Sequence, residues 1–191
     1  MPAVGWKDLP EVMRVMADAP ERMQILFLFS LCSMLRPGEN AKLEKSWIHD
    51  DVIEIPAEHM KKRKPFRLPL TGFMRELLER EAALSPHPRC AFVFAARVTG
   101  RHISAQALAK HLHSTELKGR LVAHGLRSIA RSWLADAQVP YEVAETCLSH
   151  DVGSLVSRAY QRSDYFDARR SIMERWSEHV RACARCAGMI D

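Results

Sequence analysis

A mainly helical α+β fold with one small β-hairpin is what this sequence predicts, and three features predict it. Apolar residues recur at helical spacing over most of the chain, and one basic turn between two short alternating runs interrupts that pattern. Apolar side chains make up 47% of 191 residues, enough for the core of one domain and too many for a disordered chain.

Residues 1–19 form a lead-in, and the main domain is expected over residues 20–180, with a tail from 181 to 191. Ile25-Leu26-Phe27-Leu28-Phe29-Ser30-Leu31 continues to Leu35, with Pro20 suited to a first helical turn. This stretch is well short of the roughly 20 residues that a membrane span needs, so it reads as a buried helix and no membrane partner is expected. Ile53-Glu54-Ile55-Pro56 and the run Met60 to Leu70 read as a hairpin. Between His59 and Arg67 there are five Lys or Arg residues and no acid, which suits a projecting turn that meets DNA phosphates.

Thr71 starts the next helix, with Phe73, Met74, Leu77, Leu78 and Leu84 inward, ending before Ser85-Pro86-His87-Pro88. Ala91 to Ala95 is too short to assign. Ser104 is placed as the cap of a helix through His113, with Ala107, Leu108 and Leu112 inward. Ser128 to Gln138 carries Ile129, Trp133, Leu134 and Ala137 near helical spacing, and Pro140 stops it. Tyr141 to Ser149 repeats the pattern through Val143, Ala144, Cys147 and Leu148, leaving His150 at its end. Beyond Gly153, Leu155 to Ala159 forms one or two helical turns before Tyr160. The stretch Asp164 to Cys183 has an apolar side of Phe166, Ile172, Met173, Trp176 and Val180, which packs either on the chain's own core or on another protomer.

Lys and Arg number 28 against 23 Asp and Glu, a net charge of +5 with a pI near 9.1, which permits a nucleic-acid partner. The five cysteines are odd in number and scattered, and no secretory signal precedes them. A reducing cytoplasm is therefore expected.

The polar residues carry the chemistry. An attacked phosphodiester gathers negative charge on its oxygens, so fixed cations aimed there supply the largest catalytic term. Arginine suits the task because its planar, permanently charged fork grips two oxygens at once. His124-Gly125-Leu126-Arg127 spaces an imidazole and a guanidinium three residues apart, on one face of a helix. A phenol such as Tyr160 has an ordinary pKa of roughly 10 and needs nearby cations or a base before it attacks. His124, Arg127 and Arg36 would provide them.

Arg36, His124, Arg127, His150 and Tyr160, in that order, resemble the catalytic domain of the tyrosine recombinases, most of all integrases of prophages and integrative islands. The resemblance spans roughly Pro20 to His179. It rests on Leu35-Arg36-Pro37-Gly38-Glu39, His124-Gly125-Leu126-Arg127, Leu148-Ser149-His150 and Ala159-Tyr160-Gln161-Arg162. It implies the DNA breaking-rejoining fold of that family. The family also uses a hairpin lysine, and its Met-Lys pattern points to Lys61, with Lys62 and Lys64 within a one- or two-residue shift of register. Two departures stand out: Ser33-Met34 where relatives often carry Thr-Gly, and Phe66 where close relatives often have His.

The resemblance implies roles. Arg36 and Arg127 hold non-bridging oxygens, His124 takes the proton from Tyr160, His150 supports the same phosphate, and Lys61 protonates the leaving 5′ oxygen. Glu39 orients the region of the first arginine, while Lys62, Arg63, Lys64 and Arg67 contact DNA. The product is a 3′-phosphotyrosine with a free 5′ hydroxyl, and rejoining reverses the step on another strand. This scheme calls for no metal and no cofactor, and no Gly-rich phosphate loop for ATP appears. Implied partners are double-stranded DNA, further copies in a tetrameric synapse joined through the segment after the tyrosine, and accessory directionality factors. The family normally places a DNA-binding domain before the catalytic one, and only about one short helix precedes the resemblance in this sequence.

Rival readings exist. A non-catalytic DNA-binding remnant would keep the basic hairpin without the reaction. His111-Leu112-His113 evokes metal-dependent relaxases, but a His-x-His pair converges from a strand, and this one ends a helical pattern. Cys183-Ala184-Arg185-Cys186 with His179 suggests zinc, yet no second ligand pair accompanies it.

Overall fold

A computed structural model of the chain describes residues 2–152 and 163–190. Among these residues the helices are α1 Leu9–Ala17, α2 Glu21–Ser33, α3 Pro37–Ala41, α4 Gly72–Leu84, α5 Ala107–His113, α6 Gly125–Asp136, α7 Tyr141–Cys147 and α8 Phe166–Cys186. Strands β1 Val52–Ile55 and β2 Phe66–Pro69 pair antiparallel, with Val52 opposite Pro69 and Ile55 opposite Phe66. The expected mainly helical fold with one hairpin is thus present.

Helix α2 is the axis of the core. Every residue from Ile25 to Ser33 is buried, as expected of a helix that is apolar all round. Helices α4, α5, α6 and α8 pack on it, and α1 and α7 pack on α8. Helix α1 contributes Leu9, Val12, Met13 and Met16, all fully buried.

Helix α8 settles the choice left open by its apolar stripe. Met173, Trp176, Val180, Cys183 and Ala184 are buried within this chain, and the Trp176 indole Nε1 donates to the Leu31 carbonyl at 2.9 Å. Trp133 lies against Trp176 with ring centroids 5.2 Å apart. The stripe belongs to the chain's own core, because burying an indole also satisfies its N–H on the axis helix.

Two local expectations are corrected. Leu84 is 39% exposed, not inward: it is the last residue of α4, and a periodic pattern does not reveal where the covering surface ends. Helix α5 begins at Ala107 with Gln106 as its N-cap, while Ser104 Oγ accepts from the Gln106 amide at 3.2 Å, so the serine closes the preceding turn. The unassigned stretch Ala91 to Ala95 is held by isolated bridges, Glu44 with Phe92 and Ala95 with His102. Arg22 joins it to the core, donating to the Ala95 carbonyl at 2.8 Å and to buried Glu81 on α4. Burial raises the Glu81 carboxyl above its ordinary pKa even with the Arg22 hydrogen bond opposing that rise.

Candidate active site

Three helix ends and one hairpin loop build the site. Helix α2 ends at Met34, whose φ of 54° is left-handed, a conformation that usually falls to glycine. Full burial of the Met34 side chain offsets that strain. The turn releases the chain to Arg36, the N-cap of α3, with Pro37 preset for the first helical position. Glu39, third in α3 and only 5% exposed, reaches back to accept from the Arg36 amide at 2.9 Å and from its guanidinium Nη1 at 3.1 Å. The same carboxylate accepts from the Lys61 amide at 3.3 Å, which ties the hairpin loop to the first arginine.

His124 caps α6 and Arg127 is in its first turn. Gly125 between them is dictated by space: a Cβ there would meet the Pro2 carbonyl oxygen at 2.6 Å. Arg127 is 4% exposed and donates to the Met34 carbonyl, to the Leu148 carbonyl at 2.7 Å and to His150 Nε2 at 2.9 Å. Met34 and Leu148 are the C-caps of α2 and α7, so the buried cation faces the negative ends of two helices. Burial, with Arg36 nearby, lowers the Arg127 pKa to about 10, which still leaves it charged at neutral pH.

Helix α7 closes with Ser149 at φ 51°. The Ser149 amide bonds to the Thr146 carbonyl at 3.0 Å and the His150 amide to the Glu145 carbonyl at 3.0 Å. This Schellman turn swings the chain so that Ser149 Oγ accepts from Arg36 Nη1 at 2.8 Å while His150 meets Arg127. Arg36 Nε and Nη2 have no partner among the described residues, and its side chain is 15% exposed, so those donors are available to an anion.

His124 is exposed, and its pKa is lowered by partial burial and then by Arg127, Arg36, Lys61 and His150. The positive charges of Arg127, Arg36 and Lys61 each penalise a further proton, so the imidazole stays a free base to a lower pH than an ordinary histidine.

The hairpin loop separates its lysines. Lys62 and Lys64 reach Asp151 at 3.3 and 3.1 Å, whereas the Lys61 ammonium has no ion pair among the described residues. Arg63 occupies the turn at φ 53° and is exposed. Arg67 lies in β2, is within 3.4 Å of Asp164, and stands 4.1 Å over the Phe166 ring. Phe66, the departure noted in the sequence, packs under Arg169 at 5.0 Å.

The structure therefore gathers Arg36, Glu39, Lys61, His124, Arg127 and His150. Tyr160 lies outside the described residues. Three participants escaped sequence reasoning: Ser149, Glu145 and Arg131. Glu145 accepts from Arg131 Nε at 2.7 Å and contacts His150 Nδ1 at 2.7 Å. The only signal in the sequence was Glu145 standing five residues before His150, in the helix that ends just ahead of it.

Elsewhere, His111 and His113 are in the last turn of α5, where residues two apart point about 200° from each other. Cys183 Sγ lies 3.7 Å from His179 Nε2, next to the Trp176 ring, while Cys186 is exposed. No described helix is long and apolar enough to cross a membrane.

The model of the phage integrase family matches residues 6–166. Prophage integrase IntA of Escherichia coli (strain K12) is 34% identical over 187 residues, which cover 95% of this chain and 45% of that protein. The chain thus spans less than half the length of that relative. The integrase from mycobacterium phage Brujita superposes with a TM-score of 0.68 at 20% identity, covering 100% of this chain and 63% of that one. A lambda integrase tetramer bound to a Holliday junction gives a TM-score of 0.64 at 16% identity, covering 85% and 48%.

Proposed function

Because this chain belongs to the phage integrase family, we propose that it cuts and rejoins duplex DNA as a tyrosine recombinase, in the integration and excision of a mobile element. The Tyr160 oxygen attacks the scissile phosphorus and its proton passes to His124. Arg36 and Arg127 hold the non-bridging oxygens, His150 supports the same phosphate, and Lys61 gives a proton to the departing 5′ oxygen. The products are a 3′-phosphotyrosine and a 5′ hydroxyl. The covalent link conserves the bond energy until a hydroxyl from another strand attacks and releases Tyr160.

One observation carries the reading: the guanidinium groups of Arg36 and Arg127 are anchored to a single short segment, Leu148 to His150, although they arise from different helices. Guanidiniums fixed before the reaction need little reorganisation when charge develops. The depressed His124 pKa supports its assignment as proton acceptor, and the Lys61 ammonium, without an ion pair among the described residues, supports its choice over Lys62 and Lys64.

Lys62, Arg63, Lys64 and Arg67 are assigned to DNA. Double-stranded DNA, a tetrameric synapse and accessory directionality factors are the partners in this reading, within the cytoplasm. The lambda integrase tetramer on a Holliday junction supports assembly on DNA. A suicide duplex, in which the short fragment bearing the free 5′ hydroxyl diffuses away after cleavage, tests the reaction. Wild type and Tyr165→Phe should accumulate a covalent adduct and Tyr160→Phe should not; adduct in Tyr160→Phe would refute the assignment. Exchanged junctions rather than relaxed circles from a two-site plasmid would distinguish recombination from topoisomerase activity.

A further inference from the structure

Residues Pro2 to Trp6 lie along α6 from its first residue to its last. At one end, the Pro2 carbonyl oxygen stands 2.6 Å from where a Cβ of Gly125 would be, with the Ala3 Cβ at 3.3 Å. At the other, the Trp6 indole Nε1 donates to Asp136 Oδ2 at 2.7 Å, and its ring meets His179 of α8 edge-on at 5.5 Å. Gly125 and Asp136 bound a 12-residue helix, so the two anchor points are roughly 17 Å apart. The stretch from Pro2 to Trp6, even fully extended, covers at most about 14 Å, and the Trp6 side chain supplies the rest, which leaves the segment little slack. Val4 packs on the core midway, and the Gly5 amide donates to Asp8 Oδ2 at 3.1 Å as the chain enters the 3-10 turn Trp6–Asp8 that leads into α1.

Gly125 records this contact. Its φ is not positive, unlike those of Gly100, Gly119 and Gly188, so its helical backbone would accept any residue. Alanine would ordinarily favour the helix. What excludes a methyl group is the backbone of Pro2, which cannot swing aside as the tip of the Leu121 side chain, at 3.2 Å, can. The consequence falls on the neighbours. Arg127 is held by its own bonds to Met34, Leu148 and His150. The His124 side chain makes no hydrogen bond among the described residues, so the backbone at the start of α6 sets where its imidazole is carried.

We propose that residues Pro2 to Trp6 are a positioning strap: seated in the notch at Gly125 and pinned at Asp136, they fix the first turn of α6 and so hold His124 in register with Arg36 and Lys61. Gly125, Trp6 and Asp136 are then positioning residues for strand cleavage. Their effect on cleavage rests on the reaction proposed above; the placement of His124 in the free protein does not.

The notch allows a test by non-additivity. Gly125→Ala in the full chain sets a methyl group against the Pro2 carbonyl and should lift the strap, whereas deleting Pro2 to Val4 removes the strap and leaves Trp6 in place. Each should slow suicide-duplex trapping roughly tenfold to a hundredfold while the urea transition stays cooperative. Combined, they should be no slower than the deletion alone, because the methyl group then meets only the movable Leu121 tip.

Histidine NMR titration of the free protein, with His124 assigned by its loss in His124→Gln, reads the placement itself. His124 is held below the ordinary value of 6.5 by burial and by Arg127, Arg36, Lys61 and His150. Freed from the strap it should titrate closer to 6.5 in both single variants, a change that lost stability does not produce by itself. Trp6→Phe, which keeps a ring but not the N–H, should move the titration the same way, and Asp136→Asn, which keeps an acceptor, should not. A His124 titration unmoved in the deletion and in Trp6→Phe, or a Gly125→Ala penalty undiminished without residues 2–4, would overturn the proposal. If the titrations move as expected but wild type traps no DNA, the reaction assigned to the site fails while the strap stands.

Discussion

The guanidinium of Arg36 donates to the hydroxyl of Ser149 at 2.8 Å, joining residues 113 positions apart. Ser149 is also left-handed, at φ 51°, so one residue both ends α7 and anchors the first arginine. Replacing it separates the two functions. Ser149→Ala keeps the backbone strain and loses the hydrogen bond, and should destabilise the fold by about 1 kcal/mol. Ser149→Gly loses the same bond but relieves roughly 1 kcal/mol of left-handed strain, so its urea midpoint should lie near wild type. Both should slow DNA trapping. Equal midpoints for the two variants would contradict the assigned strain.

Arg127 serves stability as well as chemistry. Its removal in Arg127→Ala leaves the Met34 and Leu148 carbonyls without their buried donor, and the expected cost is about 3 kcal/mol in denaturant titration. Arg127→Lys retains a charge but not the fork that reaches two helix ends and His150, so it should recover only part of that loss. A fully stable lysine variant would show that the two carbonyls do not depend on the guanidinium.

The depressed His124 pKa sets a pH signature. A base works while deprotonated, so the acid limb of the trapping rate should fall below pH 6.5, the ordinary histidine value. The sign follows from the neighbours: Lys61→Met removes one repelling cation and should move that limb upward. Comparing variant profiles, each normalised to its own maximum, checks this. A limb unmoved in Lys61→Met would place the lysine too far from His124 to act on it.

Asp151 holds Lys62 and Lys64 at 3.3 and 3.1 Å. Phosphates compete with this carboxylate for both ammonium groups, so Asp151→Asn should bind duplex DNA several-fold more tightly at low salt. Lys62→Ala and Lys64→Ala should each reduce the slope of log K against log salt by about 0.9. Slopes unchanged in both lysine variants would remove them from the DNA contact.

The final helix belongs to the core. Truncation before Ser171 removes Met173, Trp176 and Val180, all fully buried, and should leave a chain without a cooperative thermal transition. A folded monomer after that truncation would assign the helix to another protomer instead.

Local pattern was enough to place the helices because their apolar faces repeat within each segment: Phe73, Met74 and Leu77 are buried as their spacing requires. The hairpin was legible for the same reason, with Ile53 opposite Leu68 in its register. What stayed hidden depends on contacts between distant segments. Nothing near Ser149 announces Arg36, and nothing near Glu145 announces Arg131, because these bonds depend on how separate helices pack, which neither helix's own apolar pattern specifies. The stripe on α8 was visible, but its partner, the Leu31 carbonyl, is 145 residues away. Met34 shows the converse: its position was noted as a departure from glycine, and its φ of 54° gives that departure a physical meaning.

The central claim is that Arg36, Lys61, His124, Arg127 and His150 converge on one phosphorus. A structure of the protein with duplex DNA and vanadate, which mimics the pentacoordinate phosphorus, tests it most directly. The account expects vanadate oxygens within hydrogen-bonding distance of Arg36, Arg127, His124 and His150, Lys61 beside the 5′ oxygen, and Tyr160 in line as the apical ligand. Vanadate bound on another face, with these side chains still paired to protein acceptors, would contradict it.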